Sequence, residues 1–144
     1  MDAKRVKRGA RRQAEEALKA SEERFRNLVE NAPVGFGITT MDGRPVLRNK
    51  TIAQMYGFKD VDELMANSGA TRYYYPEDRK RFLEIASKGI VKDFEVLMKC
   101  KDGTPLWASL SSTIQINGNG EKQLISIIQD ISERKKTEEE LYMR

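Results

Sequence analysis

The chain has 144 residues and a formal net charge of +4, with 39% hydrophobic and 33% charged residues, which is enough apolar material for one domain and an additional helix. It contains no histidine, so the commonest general base, the commonest zinc ligand and the usual proximal haem ligand are absent. Its single cysteine, Cys100, excludes an intramolecular disulfide and suits a reducing, cytoplasmic location.

The N-terminal segment 3–30 is predicted to form one long helix, because it holds no proline and its small or apolar residues recur at steps of three and four. This spacing is typical of a coiled coil and is carried by Ala10, Ala14, Ala17, Ser21, Phe25 and Leu28. Alanines bury little surface, so we expect the helix to need a partner, such as a second copy of the chain. Pro33 ends it, since the residue before a proline disfavours the helical conformation.

Two strands are predicted to follow, over residues 34–40 and from Val46, joined by a turn at 41–44 that contains Asp-Gly. Asn49 is a suitable N-cap for a short helix that runs through Tyr56. The segment from residue 34 therefore begins as a hairpin that leads directly into a helix.

Two more short helices are predicted from their start signals. Asp60 with Glu63 three residues later is a capping-box pattern. Pro76, followed by two acidic residues, is predicted to open a helix that ends near Ser87.

The last third predicts three strands, over 93–101, 104–116 and 123–131, joined by turns rich in Asn, Asp and Gly. From Ser132 the pattern becomes charged and helical again. The predicted order is helix, two strands, short helices, three strands, helix.

Eight short motifs lie in order between about residue 21 and residue 140. They are SEERFR at 21–26, ENAPVG at 30–35, MDG at 41–43, Asn49, YGF at 56–58, PEDR at 76–79, KDG at 101–103 with Trp107, and DISERK at 130–135. In this order they resemble the PAS domain family. The last motif is similar to the Asp-Ile-Thr exit motif of that family, with serine in place of threonine.

The resemblance implies an α+β fold with a five-stranded antiparallel sheet, short helices over one face, and flanking N- and C-terminal signalling helices. We expect a helix over 1–21, a sensor domain over 22–131 and a linker helix over 132–144. Members of the family sense a ligand, light or redox state, or act as dimerisation relays. They commonly precede a histidine kinase or a cyclic-dinucleotide enzyme, so the implied function is signal transduction, as in two-component systems.

Alternation along the strands separates an inner, helix-covered face from an outer face. The inner face and the helices above it predict a ligand pocket, in which Tyr56, Ser112 and Ser126 are the polar groups and the ligand is small and mostly apolar. A filled core is the alternative. The predicted lining is Phe36, Ile38, Ile52, Tyr56, Phe82, Val96, Met98, Ala108, Leu110, Ser112, Ser126 and Ile128.

The outer face is too apolar to be left open to water, so we expect a helix to cover it. The candidate cover is the apolar end of the first helix, from the same chain or from the partner in a homodimer. The residues predicted to form this dimer and signal relay are Phe25, Leu28, Val29, Leu97, Trp107, Ile125, Ile127, Asp130, Ile131 and Ser132.

No cofactor is predicted. The resemblance implies haem ligation by histidine in some members, and this chain has none. Light-sensing LOV members need a cysteine on a short helix, which residues 65–75 lack, and polar side chains on the sheet. The positions that match those polar side chains are Met98, Ala108 and Ile128, and one residue of offset places Gln129 on the other face.

Enzymatic function is not predicted, because the chain has no phosphate-binding loop, no nucleophile elbow and no metal-binding motif. Two alternatives to a ligand sensor remain. One is a ligand-free adaptor for protein interaction and dimerisation. The other is nucleic-acid binding by the basic run 4–12, which we interpret as the solvated start of the helix because residues 22–144 have no net charge.

Overall fold

The computed structural model describes residues 2–143. Its helices are α1 (Ala3–Glu30), α2 (Lys50–Tyr56), α3 (Val61–Met65), α4 (Pro76–Ser87) and α5 (Ser132–Tyr142), with a 3₁₀ helix over Gly69–Arg72. Its strands are β1 (Gly35–Thr40), β2 (Pro45–Arg48), β3 (Val91–Lys99), β4 (Pro105–Ile116) and β5 (Lys122–Asp130). The order of elements predicted from the sequence is confirmed, and the 3₁₀ helix is an addition to it.

The chain divides into two compact units, the first ending at Asn31 and the second beginning at Ala32. The first unit is α1, whose bounds agree with the predicted helix 3–30. Asp2 caps it by accepting a hydrogen bond from the Lys4 N–H at 3.0 Å. None of its residues is buried within the chain.

The second unit is built on one sheet of strand order β2-β1-β5-β4-β3, in which all neighbouring strands are antiparallel. β3 begins two residues before its predicted start, because a bulge near Asp93 interrupts its pairing with β4. Asp93 takes a left-handed φ of 51°, and its N–H donates to Ser111 Oγ at 3.1 Å. The bulge bends the strand and explains why alternation alone missed its first residues.

The short helices begin where the sequence predicted. Asn49 Oδ1 accepts from the Ile52 N–H at 3.3 Å, and its amide also donates to Val34 O, so it joins α2 to the approach to β1. Asp60 caps α3 by accepting from the Glu63 N–H at 2.8 Å. No helix within residues 2–143 has both the length and the apolar character that a membrane crossing requires.

The core lies between the inner face of the sheet and the helices α2, α3 and α4. Ile52, Leu64 and Val96 are its most completely buried large side chains. Close packing of α2 on β1 depends on Gly35, since a Cβ there would lie 2.8 Å from Ile52 Cγ1. This approach positions α2 against the sheet and so shapes the space between them.

Candidate functional site

A partly enclosed cavity of about 70 Å³ lies between the inner face of the sheet and the helices. Its lining joins all five strands of the sheet to α2, the 3₁₀ segment and α4. The lining residues are Gly37, Thr39, Gly43, Arg48, Ile52, Tyr56, Gly69, Arg72, Tyr73, Arg79, Phe82, Leu83, Met98, Leu110, Leu124, Ser126 and Ile128.

Seven of the twelve predicted pocket residues line this cavity, namely Ile52, Tyr56, Phe82, Met98, Leu110, Ser126 and Ile128. Three others, Val96, Ala108 and Ser112, are buried on the same face of the sheet but are not part of the lining. Ser112 and Ser126 are joined by a 2.6 Å hydrogen bond between their hydroxyl groups. That bond occupies two of the three polar groups that the sequence offered to a ligand.

Phe36 and Ile38 were predicted in the pocket but lie on the outer face. They pair directly with Ile127 and Ile125 of β5, and directly paired residues share a face. The inward positions of β1 belong to Gly35 and Gly37, which let α2 approach. An isolated glycine in a strand signals such a close approach, and that signal would have corrected the assignment.

Three arginines that were not predicted from the sequence also line the cavity. They are Arg48, Arg72 and Arg79, and we call them the cavity arginines. Arg48 is only 6% exposed, and its Nη1 donates to Leu64 O at 3.1 Å and to Asn67 O at 3.0 Å. It ends β2 opposite the inward-facing Gly37, which is why its side chain lies on the helix-covered face. Correct placement of Gly37 would have predicted it.

Arg72 ends the 3₁₀ segment and is 8% exposed. Its Nη1 donates to Lys99 O at 3.1 Å, and its guanidinium lies 5.2 Å from the centre of the Phe58 ring. Arg79, in α4, is half-buried and donates from Nη2 to Met41 O at 2.8 Å. The sequence carried no local signal for Arg72, because its segment lacks a regular period.

Two polar atoms of the lining residues are buried with no hydrogen-bond partner among residues 2–143, the Tyr56 hydroxyl and Arg72 Nε. Burial raises the pKa of Tyr56, so the phenol stays protonated and can donate. Burial likewise raises the pKa of Tyr73 to about 12. Buried polar atoms in proteins are nearly always satisfied, so these two are natural contacts for a bound molecule.

Within the described residues, no Asp or Glu oxygen lies within 4 Å of a cavity arginine. The same part of the chain holds no cluster of His, Cys, Asp or Glu able to bind a metal ion. Cys100 lies just beyond β3, outside the cavity lining, where its thiol faces Met55 O at 3.9 Å. The positions compared with LOV proteins are apolar and inward, and Gln129 pairs with Ser109 on the outer face.

The outer face of the sheet carries most of the predicted relay residues. Leu97 and Ile125 are partly buried, whereas Trp107 and Ile127 remain 38% and 44% exposed. Phe25, Leu28 and Val29 lie in the last turns of α1, where Leu28 is exposed. Whether these residues form a relay or a dimer interface stays a prediction.

The start of α5 is tied to the outer face by four charged residues, which we call the exit cluster: Glu95, Arg134, Lys135 and Glu138. Lys135 Nζ lies 2.6 Å from Glu95 Oε1 and 4.8 Å from the centre of the Trp107 ring. Arg134 pairs with both Glu95 and Glu138. Hydrogen bonding from Lys135 and then Arg134 lowers the pKa of Glu95, so its carboxylate is charged at neutral pH.

The junction of β5 and α5 is short and well bonded. Only Ile131 separates the two elements, and it is buried. Its N–H donates to Trp107 O at 3.0 Å, and Asp130 Oδ1 accepts from the Ser132 N–H at 2.9 Å. The sequence-predicted exit residues therefore form one bonded unit.

Comparison with known proteins places this geometry in context. A family model described as PAS domain matches residues 33–133. The chain is 28% identical over 131 residues to the sensor histidine kinase TmoS of Ectopseudomonas mendocina and 31% identical over 129 residues to the methyl sulfide methyltransferase-associated sensor of Methanosarcina acetivorans. These alignments cover 87% and 88% of the chain but 13% of each relative.

Among solved structures, the PAS domain of an HTR-like protein from Haloarcula marismortui is similar to this chain with a TM-score of 0.66 and 23% identity. The match covers 83% of this chain and 99% of that domain. It supports the fold, with its five-stranded antiparallel sheet and helices.

Proposed function

Because the chain belongs to the PAS domain family, we propose that it is a sensory module whose cavity binds a small ligand and whose last strand carries the response to α5. One observation carries the proposal. β5 contributes Leu124, Ser126 and Ile128 to the cavity wall and continues into α5 through a single residue. A ligand that shifts β5 therefore acts on the start of α5, which is bonded to the same sheet.

The signal in this proposal passes to a downstream output domain, such as a histidine kinase or a cyclic-dinucleotide enzyme. The curated relatives are far longer than the matched region, and both are named as sensors. The chain itself carries out no reaction in this scheme. The proposal assigns no role to haem or to a photoactive flavin.

Ligand binding is tested by filling the cavity. Ser126→Leu places a larger side chain on the lining, and Thr113→Leu, on the outer face of β4, is the matched control. Ligand-observed NMR with a panel of small neutral and charged organic molecules is expected to show binding to the unmodified chain and to Thr113→Leu. Binding that is equal in Ser126→Leu, or absent from the whole panel, would contradict the proposal.

The relay is tested by hydrogen exchange across α5. A ligand identified by the panel is expected to change the exchange rates of residues 131–142 in the unmodified chain but not in Ser126→Leu. Unchanged exchange of residues 131–142 at saturating ligand would show that binding does not affect α5, and it would contradict the proposed relay.

A second candidate function is ligand-free dimerisation, which the spacing in α1 favours. Phe25 and Leu28 of the predicted stripe are more than half exposed, as are Val6 and Leu18 elsewhere on this helix, and a helix with such a stripe is stabilised by pairing with a second copy. Analytical ultracentrifugation is expected to show a dimer that Leu18→Glu with Leu28→Glu converts to a monomer. An unchanged mass in that double variant would exclude α1 as the interface.

A further inference from the structure

The cavity arginines place positive charge beside an apolar space without a matching negative charge. Arg48 and Arg72 are both buried and both line the cavity, and Arg79 joins them from α4. The protein partners of their guanidinium groups are backbone carbonyls and, for Arg72, an aromatic ring. Carbonyl dipoles stabilise a cation but leave its net charge in place.

Buried charges in proteins are normally paired, because removal from water strongly disfavours an uncompensated ion. Burial lowers the pKa of Arg48, and the nearby charge of Arg72 lowers it further. Both guanidinium groups are positively charged and line the same cavity, so they repel each other. An anion between them would remove that repulsion and restore charge balance.

The polar atoms left without partners are donors in the state that prevails at neutral pH. Arg72 Nε carries an N–H, and the Tyr56 hydroxyl is protonated. An ionised carboxylate is an acceptor with two oxygens, so it can satisfy both donors while it balances the arginines. A neutral alcohol or amide would satisfy hydrogen bonds but not the charge.

The rest of the lining limits what accompanies the negative charge. Ile52, Met98, Leu110, Leu124 and Ile128 form an apolar wall. A volume of about 70 Å³ is about half that of an engineered protein cavity that holds benzene, so the space admits only a small group. An alkyl group of a few carbons fits that space and gains from burial against the wall, whereas a bare inorganic anion would leave the wall uncovered.

We propose that the ligand is a small aliphatic monocarboxylate, an inference that rests on the proposed sensory function. Its carboxylate is held by Arg48, Arg72 and the Tyr56 hydroxyl. Its alkyl chain lies against the apolar wall on β4 and β5. Binding therefore acts directly on β5, the strand that leads to α5.

The first test uses the unmodified chain and two molecules of equal size. Butyrate and butyramide have the same number of non-hydrogen atoms and differ in charge. Isothermal titration calorimetry is expected to give butyrate at least about tenfold tighter binding, since charge-assisted bonds are markedly stronger than neutral ones. Equal or tighter binding of butyramide would overturn the carboxylate inference while leaving the sensory function in place.

The second test changes the donors. Arg72→Gln is expected to weaken butyrate binding at least about tenfold and to leave butyramide binding within about twofold. Arg81→Gln, an exposed arginine on α4 outside the lining, is the matched control and should bind butyrate normally. Tyr56→Phe keeps the ring and removes only the hydroxyl, so it tests the phenol even where the arginine variant folds poorly.

The remaining outcomes separate this inference from the proposed function. Chloride that competes with butyrate at equal concentration would show a site for inorganic anions and overturn the carboxylate assignment. Butyrate binding that survives in Ser126→Leu would place the anion outside the cavity and overturn it as well. Binding of neutral molecules alone, blocked by Ser126→Leu, would support the sensor and refute the carboxylate.

Discussion

The cavity arginines and the exit cluster differ in whether their charges are paired within the chain. In the exit cluster each charge has a partner within the chain: Lys135 and Arg134 both contact Glu95, and both approach Glu138. The cavity arginines are more deeply buried, and no carboxylate of the described residues lies within 4 Å of them. The exposed charges of the exit cluster are balanced by opposite charges, whereas the buried charges of the cavity arginines are not.

The contrast separates two kinds of charged group, one whose charges are balanced within the chain and one whose net positive charge is left for another molecule to balance. Exposed ion pairs contribute little each, so the exit cluster holds α5 weakly and reversibly. Buried arginines without counter-ions are costly, and in the proposed function a bound molecule supplies the missing negative charge. The following changes disturb one side of the comparison at a time.

The largest expected effect is on the cavity side. Arg48→Met removes the donor to two buried carbonyls, Leu64 O and Asn67 O. We expect a loss of about 3 kcal/mol in unfolding free energy by urea titration, since each bond from a charged donor contributes about 1.5 kcal/mol or more. Relief of repulsion with Arg72 is the smaller, opposing effect. Arg44 is exposed and pairs with Asp42, so Arg44→Met should change stability little. A similar loss in both variants would show that the two buried hydrogen bonds of Arg48 are not its cause.

Trp107→Ala tests the outer face. It removes the ring that Lys135 contacts and part of the surface under α5. We expect a loss of about 1.5 kcal/mol from the cation–π contact and apolar burial together, with faster exchange in α5 and weaker dimerisation. Affinity of the cavity for butyrate should stay within about twofold. Unchanged oligomeric state and thermal stability would count against the role of this face.

Asp130→Ala tests the junction between β5 and α5. Asp130 accepts a hydrogen bond from the first residue of α5, and loss of one such hydrogen bond typically costs about 1 kcal/mol. Hydrogen exchange is expected to increase at the start of α5, with the sheet unaffected. Asp130→Asn, which keeps a side-chain oxygen, serves as the control and should restore most of the protection.

The smallest effect is the pH dependence of the exit cluster. The folded pKa of Glu95 lies below its ordinary value of 4.5, mainly because Lys135 hydrogen-bonds to it. Its contribution is therefore present above about pH 4.5 and is lost as the pH falls through the lowered pKa. Protection of the α5 amides, measured relative to their intrinsic exchange rates, should fall over that acid range in the unmodified chain. Glu95→Gln should lack this pH-dependent change. An identical pH dependence in the variant and the unmodified chain would refute the role of Glu95.

The fold was accessible from the sequence because its signals are local. The turn at 41–44 joins β1 to β2 as predicted. Asn49, Asp60 and Pro76 each act within a few residues, and each lies at the start of its predicted helix. The inner faces of β4 and β5 also followed from alternation, since Leu110 and Ile128 line the cavity.

The site was less accessible because its main residues meet only in three dimensions. Arg48 reaches carbonyls sixteen and nineteen residues away, and nothing in its local sequence indicates those partners. The face of β1 was assigned by hydrophobicity, which favoured Phe36, whereas packing of α2 on the strand requires Gly35 inward. Alternation gives two possible faces for a strand, and only a neighbouring element decides between them.

Gly35 has a consequence for how this fold acquires new specificities. It is outside the cavity lining, yet the missing side chain sets how closely Ile52, which does line the cavity, approaches the sheet. An alanine there would place its Cβ 2.8 Å from Ile52 Cγ1 and 3.2 Å from Ile128 Cβ, so these two lining side chains would have to shift. The shape of the cavity is therefore adjustable from a position outside its lining, without a change at any of the cavity arginines.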